Sequence, residues 1–309
     1  MTDLAIFYEH PHWFEPLFAA LERRGVPFLK LPIQDHLYDP AGSPPPSPVI
    51  LSRLAMSSFL RDDEHALFYA QSLFEHWEGA GARVINGSRP LGIDISKARQ
   101  IGLIRRLGLS TPETRVVHRA ADLARAAEGL RFPVLVKADV GGSGAGIVRY
   151  DDLESLRAAA ADGLTPRSVN GVILVQEYAP RRGGKITRVE TLNGRFLYAV
   201  DVESSGEAFD LCPADFCLTQ PGKPTVRFTR VEPPPEIVRA VEAIVAAGGF
   251  DIAGVEYLID DRDGAARFYD VNGLSNFVAD PLTILGFDPH ENLVDRLVEE
   301  IRHRERAAA

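Results

Sequence analysis

The stretch I-A-G-V-E-Y-L-I-D-D-R-D-G-A-A-R-F-Y-D-V-N-G-L-S-N-F, residues 252–277, decides the fold of this chain. Two β-type runs, 254–260 and 266–272, flank the turn signal Asp261-Arg262-Asp263-Gly264, which predicts a hairpin. Alternate side chains of a strand share a face, so Asp270 and Asn272 project together, and a five-residue loop sets Glu256 directly across from Asp270. Like charges facing each other across a ribbon destabilise it unless a cation lies between them. Two carboxylates and an amide oxygen, with no His or Cys, suit a hard ion such as Mg²⁺, which keeps the rest of its shell for water and phosphate.

Upstream, the run P-V-L-V-K-A-D-V-G-G-S-G-A-G (133–146) passes from an apolar strand carrying one lysine, Lys137, into a loop containing Gly141, Gly142, Ser143, Gly144 and Gly146. Glycines let backbone N–H groups approach phosphate oxygens, and a lysine in an apolar strand is costly to bury unless it meets an anion. The loop is not G-x-x-x-x-G-K-[ST] and a strand follows it, so it predicts a hairpin lid and not a P-loop. Lys97 sits on the first turn of a helix predicted over 94–107 with Asp94 as N-cap, where the helix dipole disfavours a cation. Such a lysine is either solvated or paired with an anion. Val172-Ile-Leu-Val-Gln176-Glu177-Tyr178 is an apolar strand ending in polar residues that can meet a flat base, and Arg188 lies in an inward strand where an unpaired guanidinium would be expensive.

The chain has 309 residues, enough for two or three cores, with 45% hydrophobic and 25% charged residues, an ordinary globular balance. A net charge of −9 argues against broad nucleic-acid or anionic-membrane binding, and no apolar run approaches the ~18 residues of a membrane span. Without a signal-peptide pattern and with only Cys212 and Cys217, reduced thiols in a cytoplasmic protein are expected. Strand–helix alternation makes residues 1–93 an open α/β domain; 94–178 read as an α+β unit with the glycine lid, and 179–309 as a second α+β unit ending on the hairpin. No G-x-G-x-x-G follows the first strand.

Helix lysine, strand lysine with glycine loop, Gln-Glu-Tyr, strand arginine and an acidic hairpin ending in Asp-x-Asn, in this order, resemble the ATP-grasp superfamily, and within it the RimK-like carboxylate–amine ligases. The resemblance implies an N-terminal α/β domain and two α+β subdomains clasping ATP. It further implies that Lys97 and Lys137 hold ATP phosphates under the lid Gly141–Gly146, and that Gln176, Glu177 and Tyr178 meet adenine. Arg188 would steady an acyl phosphate, with Lys137 as its catalytic companion, while Glu256, Asp270 and Asn272 bind Mg²⁺, Mn²⁺ being the alternative. The implied reaction joins a small carboxylate to an amine, an amino acid or peptide among them; a homo-oligomer is compatible with it. The rival readings are a non-catalytic ATP sensor and a small-molecule kinase. The sequence departs from the branch at Ile186, where an acid is usual, and in F-D-L-C-P-A-D-F-C (209–217), where an Arg-x-Asn is missing. Arg53, closing a strand, and Arg61, ending the following loop, are candidates for the substrate carboxylate at the cleft between the first and second domains.

Overall fold

The computed structural model describes residues 2–10, 12–61, 65–142, 144, 146–204 and 226–308. Cys212, Cys217 and the 209–217 segment lie outside them, as does Ser143. A first sheet, all parallel, contains β1 (Leu4–Tyr8), β2 (Leu29–Pro32), β3 (Val49–Arg53) and β4 (Arg83–Ile85) in the order β2-β1-β3-β4, with helices α1 (Glu15–Arg23), α2 (Ala66–Gly79) and α3 (Ser88–Asp94). Leu4, Ile6, Val49 and Leu51 enter one apolar layer, and their strand neighbours Ala5, Phe7 and Ile50 enter another beneath α2. Apolar runs without alternation follow from burial on both faces. The chain leaves β1 for β2 on one side and β3 on the other, so the carboxyl ends of β1 and β3 flank the crevice where such sheets take ligands.

After α4 (Lys97–Arg106) comes an antiparallel sheet, order β5-β8-β6-β7, made of β5 (Thr114–Val117), β6 (Val134–Ala138), β7 (Ile147–Tyr150) and β8 (Ile173–Glu177), backed by α5 (Leu123–Ala126) and α6 (Leu153–Ala161). The glycine loop joins β6 to β7 as a hairpin. This sheet keeps an apolar core of its own around Leu123, Val134, Val136, Leu156 and Val175.

The third sheet, also antiparallel, runs β11-β10-β9-β12-β13, from β9 (Lys185–Leu192), β10 (Arg195–Ser204), β11 (Val226–Val231), β12 (Ile252–Ile259) and β13 (Ala266–Asn272). Helix α7 (Pro235–Gly248) covers Val189, Val255 and Val271 on one face. The other face, with Ile186, Tyr198, Val200 and Ile252, packs into the layer already occupied by Leu4, Ile6 and Leu51, so the first and third sheets share one core. Helices α8 (Pro281–Leu285) and α9 (Pro289–Ala308) close the chain. Among the described residues no helix is long and apolar enough to cross a membrane.

The joint between first and third sheets is pinned by Asn86, in left-handed backbone (φ 51°) just past β4. Its Nδ2 donates to the carbonyls of Ile252 (2.7 Å) and Gly273 (2.6 Å), and its Oδ1 accepts from the Asp251 (2.8 Å) and Ile252 (3.2 Å) N–H groups. Asn86→Ala strands these buried groups and is expected to cost about 3 kcal/mol, read from the urea unfolding midpoint at unchanged m-value.

One helix expectation is corrected. Residues 94–107 do not form a single helix capped by Asp94: Asp94 ends α3, and Ser96 caps α4 by accepting from the Arg99 N–H (3.2 Å). Asp94's side chain is directed instead to Gly273, on the far side of the chain's path, a tertiary demand that local cap chemistry cannot register.

Candidate active site

Glu256 and Asp270 are paired across β12 and β13, as the sequence predicts, though by a different route. Past this pair the register slips by one, to Tyr257–Phe268, so Tyr269 is an extra residue in a β-bulge and the connection is a residue longer than five. The two departures cancel. The bulge re-aims Tyr269 into the site, where its hydroxyl donates to Glu256 Oε2 (2.9 Å).

Around this pair the cations gather. Lys97, at the first position of α4, holds Asp270 Oδ1 at 2.5 Å, and Arg188 on β9, register partner of Glu256, donates to Glu256 Oε1 at 3.1 Å and to Glu190 Oε1 at 2.6 Å. Gly254 makes the room: a Cβ there would lie 2.4 Å from an Arg188 nitrogen. Lys137 on β6 lies 5.7 Å from the Tyr269 ring centroid. Asn272 turns its amide nitrogen to Asp270 Oδ2 (3.3 Å) and Gly254 O (3.4 Å).

Burial, then the negative charge of Asp270, raises the Glu256 pKa. For Asp270 burial acts upward, but the Lys97 ammonium outweighs it and the pKa falls; Lys97 in turn is raised because Asp270 overcomes its desolvation. Asp94, buried beside them with Oδ1 unpartnered and Oδ2 accepting from Gly273 N–H (2.8 Å), is raised to about 7, chiefly by burial. Lys137 is lowered to about 8 by burial and then by the like charge of Lys97.

A cleft of about 1410 Å³, its solvent-open mouth included, joins these groups. Lys97, Lys137, Arg188, Glu256, Asp270 and Asn272 line it, as do Gly141, Gly142 and Gly144 of the loop and Gln176, Glu177 and Tyr178 at the end of β8. Gly144 and Gly146 hold left-handed backbone (φ 69° and 70°), which fits a tight hairpin tip. Gln176 donates to Thr114 Oγ1 (2.9 Å); Glu177 Oε1 accepts from the Arg131 N–H (2.8 Å) and Oε2 lies 3.7 Å from Arg262; Arg149 lies over the Tyr178 ring at 5.0 Å. Ile186 lines the cleft as an apolar wall.

The two candidate substrate arginines separate. Arg53 closes β3 but is 2% exposed and is not among the residues lining the cleft. Arg61 grips Glu9 through Nε (3.1 Å) and Nη2 (2.5 Å) and lies over Trp13, a ring that lines the cleft beside Met56 and Ser57. Sequence reasoning missed Trp13, Asp94, Glu190 and Tyr269. A second acid two residues past Arg188 was the available signal for Glu190; the others depend on tertiary approach.

Buried Glu256 and half-buried Asp270, with the Asn272 amide, fit a small hard cation that also takes phosphate oxygens, since the two carboxylates repel each other. Among the described residues no group of three or more His, Cys, Asp or Glu could hold a metal.

Among the described residues no carboxylate ion-pairs with Lys137. Its folded pKa lies below the unfolded value, so at neutral pH its charge destabilises the fold by about 3 kcal/mol, a penalty that disappears as pH rises from about 8 through 10.4. Lys137→Met is expected to raise the thermal midpoint at pH 7 and to lose that advantage by pH 10, while turnover falls.

No protein-family model matches the chain. It is 27% identical over 215 residues to the D-alanine–D-alanine ligase of Actinobacillus pleuropneumoniae serotype 5b (strain L20), covering 67% of this chain and 68% of that protein. It is 27% identical over 198 residues to a probable alpha-L-glutamate ligase of Parasynechococcus marenigrum (strain WH8102), covering 63% of this chain and 40% of that one. Its structure superposes on the ATP-grasp ligase PsnB, solved with a phosphomimetic variant of a minimal precursor, Mg and ADP, with a TM-score of 0.71 at 16% identity over 97% of this chain and 99% of that chain. Two antiparallel sheets facing each other across a cleft behind a parallel N-terminal sheet are that architecture: the chain has the ATP-grasp fold.

Proposed function

We propose that this protein is an ATP-dependent carboxylate–amine ligase, on the observation that Glu256 and Asp270 meet Lys97 and Arg188 in one buried cleft that Lys137 and the glycine loop also line. A carboxylate oxygen of the acid attacks the γ-phosphorus of ATP, the bond to the β–γ bridging oxygen breaks, and ADP leaves. The amine nitrogen then attacks the acyl carbon, gives up a proton, and phosphate departs with the C–O bond pair. Lys97 and Lys137 position and neutralise the phosphates, and Arg188 takes the charge of the acyl phosphate. Mg²⁺, with Mn²⁺ as its substitute, would be held by Glu256, Asp270 and Asn272 and would offset the phosphoryl charge. Gln176, Glu177 and Tyr178 would receive adenine, and the ribose would be held without the acid that Ile186 replaces. Three units bounded near residues 93 and 178 would enclose the nucleotide in a cytoplasmic enzyme. Arg61 and Trp13 would face a small acid or the end of a peptide.

The test pairs amino acids and small carboxylates and follows ADP, phosphate and product mass. Free phosphate in step with ADP, requiring both an acid and an amine, is the expected result. ADP without free phosphate would make the protein a kinase, and ATP binding without turnover across the panel would make it a sensor.

A further inference from the structure

Two buried groups of opposite charge, contributed by different sheets, have atoms that nothing in the described structure satisfies. Arg53, at the carboxyl end of β3, has Nε and Nη1 buried and unpartnered; Glu190, on β9 and 1% exposed, has Oε2 buried and unpartnered. Strand parity puts both in the same layer. Arg53 follows Val49 and Leu51, and Glu190 follows Ile186 and Arg188, whose apolar members all belong to the core shared by the first and third sheets. The charge acting on Arg53 is that of Glu190. Glu190's other oxygen, Oε1, accepts from Arg188 Nε at 2.6 Å. A buried guanidinium and a buried carboxylate each kept half-satisfied cost the fold several kcal/mol.

We infer that Arg53 is a positioning residue for Arg188, acting through Glu190 across the joint between the first and third sheets. Arg188 is claimed by two carboxylates, Glu190 and Glu256. With Arg53 balancing the outer oxygen of Glu190, that carboxylate orients the Arg188 Nε edge without capturing the whole guanidinium, and the Nη edge stays turned to Glu256 and the cleft. Without Arg53, the second oxygen of Glu190 has only Arg188 to turn to, and the fork rotates away from the acyl phosphate. This rests on the ligase reading for its catalytic consequence and not for its geometry.

The test compares parent, Arg53→Met, Glu190→Gln and the double variant with an acid–amine pair that the parent turns over. Arg53→Met should lower kcat by about 10- to 100-fold with the ATP KM within about twofold of the parent, a tilt of one donor's worth in the transition state. The double variant removes both charges, leaves no buried orphan ion, and should recover most of that loss. In parallel, the Nε–Hε resonance of Arg188, whose acceptor is Glu190, should move in Arg53→Met, a readout that needs no turnover. Should the parent join no acid to any amine, the ligase reading falls and the resonance alone decides the coupling. A double variant as slow as Arg53→Met would mean that Arg53 binds substrate itself. An unmoved resonance, or a lowered melting temperature with unchanged kcat, would reduce Arg53 to a structural residue. Either result overturns the inference.

Discussion

Asp270→Asn is expected to lower phosphate release by about three orders of magnitude, the loss of several kcal/mol of charge stabilisation at the phosphoryl group. The amide keeps the shape of the side chain, and the backbone pairing of Asp270 with Glu256 does not depend on its charge. What goes is one of the two anions of the proposed metal site and the partner of Lys97, which sits at 2.5 Å in the parent. Lys97 then becomes a buried cation lacking its counter-ion, so the fold should also weaken by about 3–5 kcal/mol. Triphosphate can supply the missing charge. Nucleotide binding in metal-free buffer should therefore hold or tighten while turnover collapses, and the magnesium needed for half-maximal activity should rise. Turnover at the parent rate would remove Asp270 from the metal site.

Arg188→Met is expected to act on both stability and chemistry. The guanidinium is buried; desolvation opposes its charge, but Glu190 and Glu256 hold its pKa above the usual arginine value. Deleting it leaves two buried carboxylates, Glu190 in the core and Glu256 at the cleft, with Tyr269 as the remaining donor to Glu256, a loss of about 3–5 kcal/mol in unfolding free energy. The effect on turnover should be about 10²- to 10³-fold, that of one preorganised donor on developing charge. Single-turnover formation of acyl phosphate separates the two, because a destabilised protein that is still folded at low temperature should bind ATP and stall. Lys137→Met should do the opposite to the fold, so the pair divides the cleft's cations into one that supports the structure and one that strains it.

The hairpin was legible because a period of two fixes which side chains share a face and a turn signal fixes the partner. That the reading reached Glu256–Asp270 despite the bulge depended on a longer connection that offset it, and neither is visible without the third dimension. The lysines and the glycine loop were legible as chemical anomalies, cations and bare backbone where apolar residues belong. Asp94 was misread because an acid before a helical run looks like a cap, whereas its partner is Gly273, 179 residues away. Glu190 and Arg53, far apart in sequence, are brought into one layer only because the first and third sheets share a core, and Trp13 reaches the cleft only because the β1–β3 crevice opens onto it.

Asn86 and the common apolar layer fasten the first and third sheets into one body, while the β5–β8 sheet fills its interior with residues from 117 to 175 only. The three sheets are therefore unequally fastened. Moving the lid-bearing sheet would withdraw only Val140 and Val169 from the layer beneath α2, whereas prising the other two apart would tear the larger core they share, so of the three sheets the lid-bearing one is expected to give way first.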